Sequence, residues 1–259
     1  MNKREQYGPW AVVTGASDGI GRAVAKYVAA QGLDVVLAAR SETTLQELAL
    51  ELEQSYGVKA QVVVVDLSRT AGVATLLSAT DGLEVGLAVL AAGFGTTGPF
   101  TDTAPADELE MIALNISAVA QLAQTFAARM TAQRHGGIVL FGSILGWQGV
   151  PGHANYAATK AYVQSLAEGL HRELRPRGVD VLSVAPGPVH TGFAARAGLT
   201  MKSAAAPETV AEAMWSALGR RVTVVPGGQA KFLTASLKML PRRVRTIIMG
   251  RVMASMRPR

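Results

Sequence analysis

The sequence predicts a doubly wound α/β domain: a parallel sheet of seven strands with helices on both faces, followed by a helical tail. Three observations point there. Short Val/Leu/Ala-rich runs alternate with longer helical patterns along the chain, which is how repeated strand–helix–strand units read. The runs lack the polar alternation of half-exposed strands, so both of their faces are expected to be buried. A glycine-rich turn, Thr14-Gly15-Ala16-Ser17-Asp18-Gly19-Ile20-Gly21, joins the first run to the first helical pattern.

In chain order the strand runs are Trp10–Thr14, Val35–Ala39, Val62–Val65, Val85–Leu90, Ile138–Phe141, Val181–Val184 and Val222–Val225. Helical patterns fall near 20–31, 42–56, 71–79, 105–132, 155–175 and 207–219. Ser41 stands where it can cap the helix that opens at Glu42. Pro207 followed by Glu208 suits a first helical turn, where a missing N–H costs nothing. One domain is expected over 8–228 and a basic amphipathic tail over 229–259.

Composition narrows the function classes. With 49% hydrophobic and 17% charged residues over 259 positions, the chain is globular rather than disordered. It has no Cys. That excludes a disulfide scaffold, a thiolate metal site and a cysteine nucleophile, and no metal site is expected. No run reaches the roughly 18 apolar residues of a membrane span. The charged start is followed by an apolar stretch too short for a signal-peptide core, so an unprocessed, cytoplasmic protein is expected. Ten of the 25 basic residues lie in Arg220–Arg259, and no acid follows Glu212. The rest holds 15 bases against all 19 acids, so the basicity belongs to the tail.

The glycine turn carries the first chemistry. Its first glycine permits a tight turn. The others let backbone and helix approach a pyrophosphate, which takes the helix N-terminal N–H groups. A ribose-binding acid is expected at the end of the second strand when the ligand is NAD. That strand ends Leu37-Ala38-Ala39-Arg40, with a guanidinium in place of the carboxylate. Arg suits a 2′-phosphate, so NADP(H) is preferred over NAD(H). Arg22 could add to the positive field.

Tyr156 and Lys160 stand four residues apart inside a helical pattern. Five tyrosines and seven lysines in 259 residues predict about 0.14 such pairs by chance. An ammonium on the same face lowers the pKa of a phenol, which can then exchange a proton near neutral pH. Ser143 ends the fifth strand, where a hydroxyl faces the crevice and can hold a carbonyl oxygen as charge develops on it. Asn115 lies within an apolar helical segment, where its amide needs partners and could hold a water that feeds the lysine.

In these residues, together with Asp66 after the third strand, Ala92-Gly93 after the fourth and Pro186-Gly187-Pro188-Val189-His190-Thr191 after the sixth, the chain resembles the short-chain dehydrogenase/reductase family. The resemblance spans about residues 8–226. It implies a Rossmann-type fold and hydride transfer between a nicotinamide and a carbonyl or alcohol carbon. It also implies that Tyr156 donates or accepts the proton, that Lys160 tunes it and binds ribose, that Ser143 orients the substrate oxygen, and that Asn115 supports a relay water. The implied cofactor-binding set is Gly15, Ser17, Asp18, Gly19, Ile20, Gly21, Arg40, Asp66, Leu67, Ala92, Gly93, Tyr156, Lys160, Pro186, Gly187, Val189 and Thr191. Asp66 would hold the adenine amino group, and Val189 and Thr191 the carboxamide. One position departs: Ala91 stands where the family has an Asn that ties neighbouring strands.

Specificity is expected from Gly93–Phe100, Ile144–Ala154 and the segment after Thr191, with Phe94, Phe100, Trp147, Val150 and Pro151 making an apolar site and Gly192–Ala206 a lid. His153 and His190 are its polar exceptions, expected behind the site or at the surface. The substrate is then a hydrophobic ketone or aldehyde, or the matching alcohol. Long helices at 105–132 and 155–175 suit a homodimer or homotetramer. The tail is read first as a helix packed on the pocket or at a subunit interface, and second as a contact for an anionic membrane surface. Nucleic acid is not expected, since no binding motif accompanies the charge. A non-catalytic dinucleotide-binding sensor or scaffold is the rival reading, and intact Ser143, Tyr156 and Lys160 weigh against it.

Overall fold

The computed structural model of the chain describes residues 3–192 and 204–256. The order begins with α1 (Lys3–Tyr7), β1 (Trp10–Thr14), α2 (Gly19–Ala30), β2 (Asp34–Ala39), α3 (Glu42–Tyr56), β3 (Ala60–Val64), α4 (Thr70–Ala79) and β4 (Val85–Leu90). Next come α5 (Pro105–Ile112), a π-helical segment (Ala113–Ala118), α6 (Val119–Gln133), β5 (Gly136–Phe141), a 3-10 turn (Ile144–Trp147), α7 (Ala154–Leu174) and β6 (Val179–Val184). Last are α8 (Pro207–Ala217), β7 (Thr223–Val224), α9 (Gly228–Lys238) and α10 (Arg242–Ala254).

Among the described residues the seven strands form one parallel sheet in the order β3-β2-β1-β4-β5-β6-β7. The order reverses between β1 and β4, and that switch point opens a crevice at the carboxyl ends of the strands. Central strands are buried on both faces, as their unbroken apolar runs require. The edge strand β3 is less buried, with Val64 exposed. One core lies between the sheet and α2, α3 and α8, around Val24, Leu45, Leu48 and Met214. The other lies between the sheet and α4, α6 and α7, around Leu76, Leu122, Phe126 and Val163.

Several expectations need correction in detail. Ser41 is the N-cap residue of α3 and its main-chain carbonyl accepts the Leu45 N–H at 3.1 Å, but its side chain makes no capping bond; the hydroxyl bonds Thr44 Oγ1 at 2.8 Å instead. The helical pattern at 105–132 is interrupted by the π-helical segment. By length and composition Pro105–Gln133 could cross a membrane, yet Leu122, Phe126 and Met130 are buried on the sheet. The N-terminal helix α1 was not anticipated. Its Tyr7 is buried edge-on to the Trp215 ring, and the phenol donates to Asp180 Oδ2 at 2.8 Å. Gly86 and Gly137 make this docking possible: a Cβ at Gly86 would lie 2.3 Å from Gly8 O, and one at Gly137 3.0 Å from Tyr7.

The last two helices pack beside the sheet over the 3-10 turn and the start of α7. Ala230, Leu237, Met249 and Met253 bury there against Ile144, Leu145, Val150 and Ala157.

Candidate active site

The glycine turn follows β1. Gly15 (φ 69°) and Gly19 (φ 52°) both adopt left-handed backbone, which a side chain would strain. Gly21 has ordinary φ but no room: a Cβ there would lie 2.2 Å from Gly15 O. That contact draws the amino end of α2 close to the strand. Asp18 is the N-cap residue of α2 but makes no side-chain capping bond; its carboxylate accepts the Gly192 N–H at 2.9 Å, tying the turn to the segment after β6. Gly19, Ile20 and Gly21, the first residues of α2, line the crevice, where a helix N-terminus suits an anion.

A groove of about 660 Å³ runs along the carboxyl edge of the sheet. Every residue of the expected cofactor set lines it, from Gly15 through Thr191. Arg40, half exposed at the end of β2, has Glu110 at 3.9 Å. Partial burial pushes the Asp66 carboxyl up, but hydrogen bonds from Ser68 and the charges of Arg40 and Arg69 outweigh it and hold it low. Arg22 does not line the groove; it pairs with Glu51 on α3 at 3.2 Å. At Ala91, where a tying Asn is missing, Thr14 Oγ1 accepts the neighbouring Ala92 N–H at 3.0 Å and joins β1 to the end of β4.

The reactive groups meet midway along the groove. Ser143 caps the 3-10 turn, its hydroxyl accepting Leu145 N–H at 3.2 Å, and also hydrogen-bonds Tyr156. Lys160 Nζ lies 5.7 Å from the Tyr156 ring centre and donates to Phe141 O at 2.8 Å. The expected lowering of the Tyr156 pKa is not what the geometry produces. Burial pushes the phenol up to about 12, with the Ser143 bond pulling the other way. Burial brings Lys160 down to about 8. Desolvation disfavours both charges and is the largest cause of each shift.

Asn115 sits on the π-helical segment behind the groove rather than on it. Its Nδ2 donates to Phe94 O (2.8 Å) and Thr159 Oγ1 (3.1 Å), and its Oδ1 accepts Phe94 N–H (3.2 Å). Those bonds fix the Gly93–Phe94 turn against α7. A Cβ at Gly93 would come within 2.9 Å of Asn115 Oδ1 and 3.5 Å of Lys160 Nζ.

Beyond Tyr156 the groove becomes apolar. Phe94, Leu114, Ile144 and Leu145 line it, together with Leu233, Met249, Val252 and Met253 of the last two helices and Met256 just past α10. The expectation of a tail helix packed on the pocket fits this second set, and the i, i+3, i+4, i+7 spacing of Met249, Val252, Met253 and Met256 was its signal. Phe100 is exposed, Val150 is buried in the third core and Pro151 packs near Gly250, so none of these three lines the groove. Trp147 faces a smaller neighbouring cavity. His190 is exposed, while His153 is buried on the groove wall with Nδ1 3.2 Å from Thr96 O. Behind it lies a buried carboxylate that sequence reasoning missed. Glu108 accepts from Thr96 Oγ1 (2.7 Å) and Asn155 Nδ2 (2.6 Å). Most of the expected lid, 193–203, lies outside the described residues.

A long groove with a glycine turn at one end and Ser143, Tyr156 and Lys160 together before an apolar chamber is the arrangement of a dinucleotide-dependent oxidoreductase. The short chain dehydrogenase family model matches residues 9–202, and the chain belongs to that family as an NAD(P)-dependent enzyme. A 7beta-hydroxysteroid dehydrogenase of Collinsella aerofaciens is 30% identical over 238 residues, covering 89% of this chain and 90% of that one. A structure described as giving insight into 7beta-hydroxysteroid dehydrogenase stereoselectivity superposes with a TM-score of 0.89 at 29% identity, covering 96% of this chain and all of the other. A short-chain dehydrogenase from Sphingobium yanoikuyae in complex with NADPH superposes with a TM-score of 0.81 at 30% identity, covering 94% and 96% of the two chains.

Proposed function

We propose that this enzyme is an NADP(H)-dependent reductase of bulky apolar ketones, of steroid size, working reversibly on the matching alcohols. The observation that carries the reading is the continuity of the groove, from the glycine turn past Tyr156 into the methionine-rich chamber. The cradle fits a dinucleotide, because Gly15, Gly19 and Gly21 leave backbone where side chains would fill it. Gly15, Ser17, Gly19 and the α2 amides would hold the pyrophosphate, Arg40 a 2′-phosphate, Asp66 the adenine, and Lys160 the nicotinamide ribose. When bound, the nicotinamide supplies or takes the hydride. Ser143 orients the carbonyl oxygen, and Tyr156 delivers the proton to it. Methionines adapt to irregular apolar shapes, which suits a large ring system. The hydroxysteroid dehydrogenase relative supports the same substrate class. Assembly as a homodimer or tetramer through the outer faces of α6 and α7 belongs to the same reading.

The test is a titration of the protein with NADPH and NADH, followed by energy transfer from its tryptophans. NADPH is expected to bind at least about tenfold tighter, or 1.4 kcal/mol. Arg40→Ala should remove most of that difference and leave NADH binding unchanged. Equal affinity for the two cofactors in the unaltered protein overturns the NADP(H) assignment.

A further inference from the structure

Helices α9 and α10 have two unlike faces. The inner face is buried in the third core through Ala230, Leu237, Met249 and Met253. The outer face keeps large apolar side chains in water: Phe232 is 76% exposed, Met239 88% and Ile247 48%. Lys231, Lys238, Arg242, Arg243 and Arg251 are exposed among them. No acid follows Glu212 in the chain. Among the described residues none of these five cations has an ion-pair partner within 4.0 Å. The two readings of the tail, packed helix or surface contact, are thus not exclusive, because each takes a different face.

The occupant follows from the chemistry. Clustered exposed apolar groups mark an interaction surface. A second copy meeting this face about a two-fold axis would set like charges against each other. A polyanion such as nucleic acid would satisfy the cations but leave Phe232, Met239 and Ile247 in water. An anionic bilayer surface satisfies both sets, with headgroup charge for the cations and the acyl boundary for the apolar side chains. We propose that the outer face of α9 and α10 docks the enzyme onto anionic lipid surfaces. The same helices wall the apolar chamber from inside, so the chamber lies directly beneath the docked face.

The experiment is sedimentation of the full-length protein with vesicles of phosphatidylglycerol and phosphatidylcholine, against vesicles of phosphatidylcholine alone. Two variants accompany it, Phe232→Ser/Met239→Ser and Arg242→Gln/Arg243→Gln/Arg251→Gln. All five side chains are exposed, and thermal midpoints verify that each variant folds. The protein is expected to pellet with the anionic vesicles only, and each variant to lower the partition coefficient by at least about tenfold. Equal recovery in the supernatant with both vesicle types overturns the proposal. So does binding that only the charge variant weakens, which is plain adsorption without insertion. A change of oligomeric state in the apolar variant, with no vesicle binding by the parent, assigns the face to a second copy and also overturns it. Vesicle binding is read without substrate, so its outcome is independent of the catalytic assignment.

Discussion

Tyr156 works in a setting that resists both charges it and Lys160 could carry. The phenol stands at about 12 and the ammonium at about 8, both moved by burial. A phenol so placed keeps its proton through neutral pH, the state that the proposed reductive role requires. Tyr156→Phe keeps the shape and removes the proton. Its reductive kcat is expected to fall at least about 10²-fold with NADPH affinity unchanged, measured by steady-state rates beside a cofactor titration. Lys160 also makes stability depend on pH. Its pKa is 10.5 when unfolded and about 8 when folded, so between these values the unfolded chain binds more protons. Stability from this group therefore rises with pH across that window. Tyr156 shifts upward and opposes the rise only above its unfolded value of 10.0. Urea midpoints of cofactor-free protein should climb between about pH 8 and 10 relative to Lys160→Met, which lacks the titrating group.

Elements place these residues by close backbone approach. The α2 N-terminus reaches the crevice because Gly21 stacks directly on the Gly15 carbonyl. Gly21→Ala puts a carbon 2.2 Å from that oxygen, so α2 must lift off the strand. The expected result is a weakening of NADPH binding by at least about tenfold and a destabilisation of about 1–3 kcal/mol. Isothermal titration and urea unfolding measure the two effects. The π-helical segment acts at the same scale. It turns the Asn115 amide onto the Phe94 main chain and Thr159, so one residue braces the turn after β4 against the helix that carries Tyr156 and Lys160.

At the scale of the molecule, the sheet holds the cofactor end and the last two helices close the other. Met253 is shared by the third core and the chamber wall. Met253→Ala is expected to cost about 2–5 kcal/mol of stability if the site does not collapse. It should also raise KM more for a steroid-sized ketone than for a small one, because the wall it vacates lies in the distal part of the groove. Urea midpoints and a paired KM comparison test both. A KM rise equal for the two ketones would place Met253 outside the substrate's reach.

The strands, their order along the chain, the glycine turn and the Ser143–Tyr156–Lys160 set were legible in the chain because each is a local signal. Apolar runs of strand length mark buried strands, and three glycines at fixed spacing demand a turn. A Tyr and a Lys four apart must share a helix face. Other features depend on residues distant in sequence. Gly86 and Gly137 read as weak points in strands until Tyr7 is seen lying over them. Glu108 reads as a surface acid at a helix start until Thr96 and Asn155 close around it. The pKa of Tyr156 follows a nearby lysine in sequence but follows desolvation in space. The basic tail invited a choice between pocket wall and outer surface, and only packing shows that its two faces divide between them. Periodicity says that a helix has faces; which neighbour each face meets is decided by contacts between elements far apart in the chain.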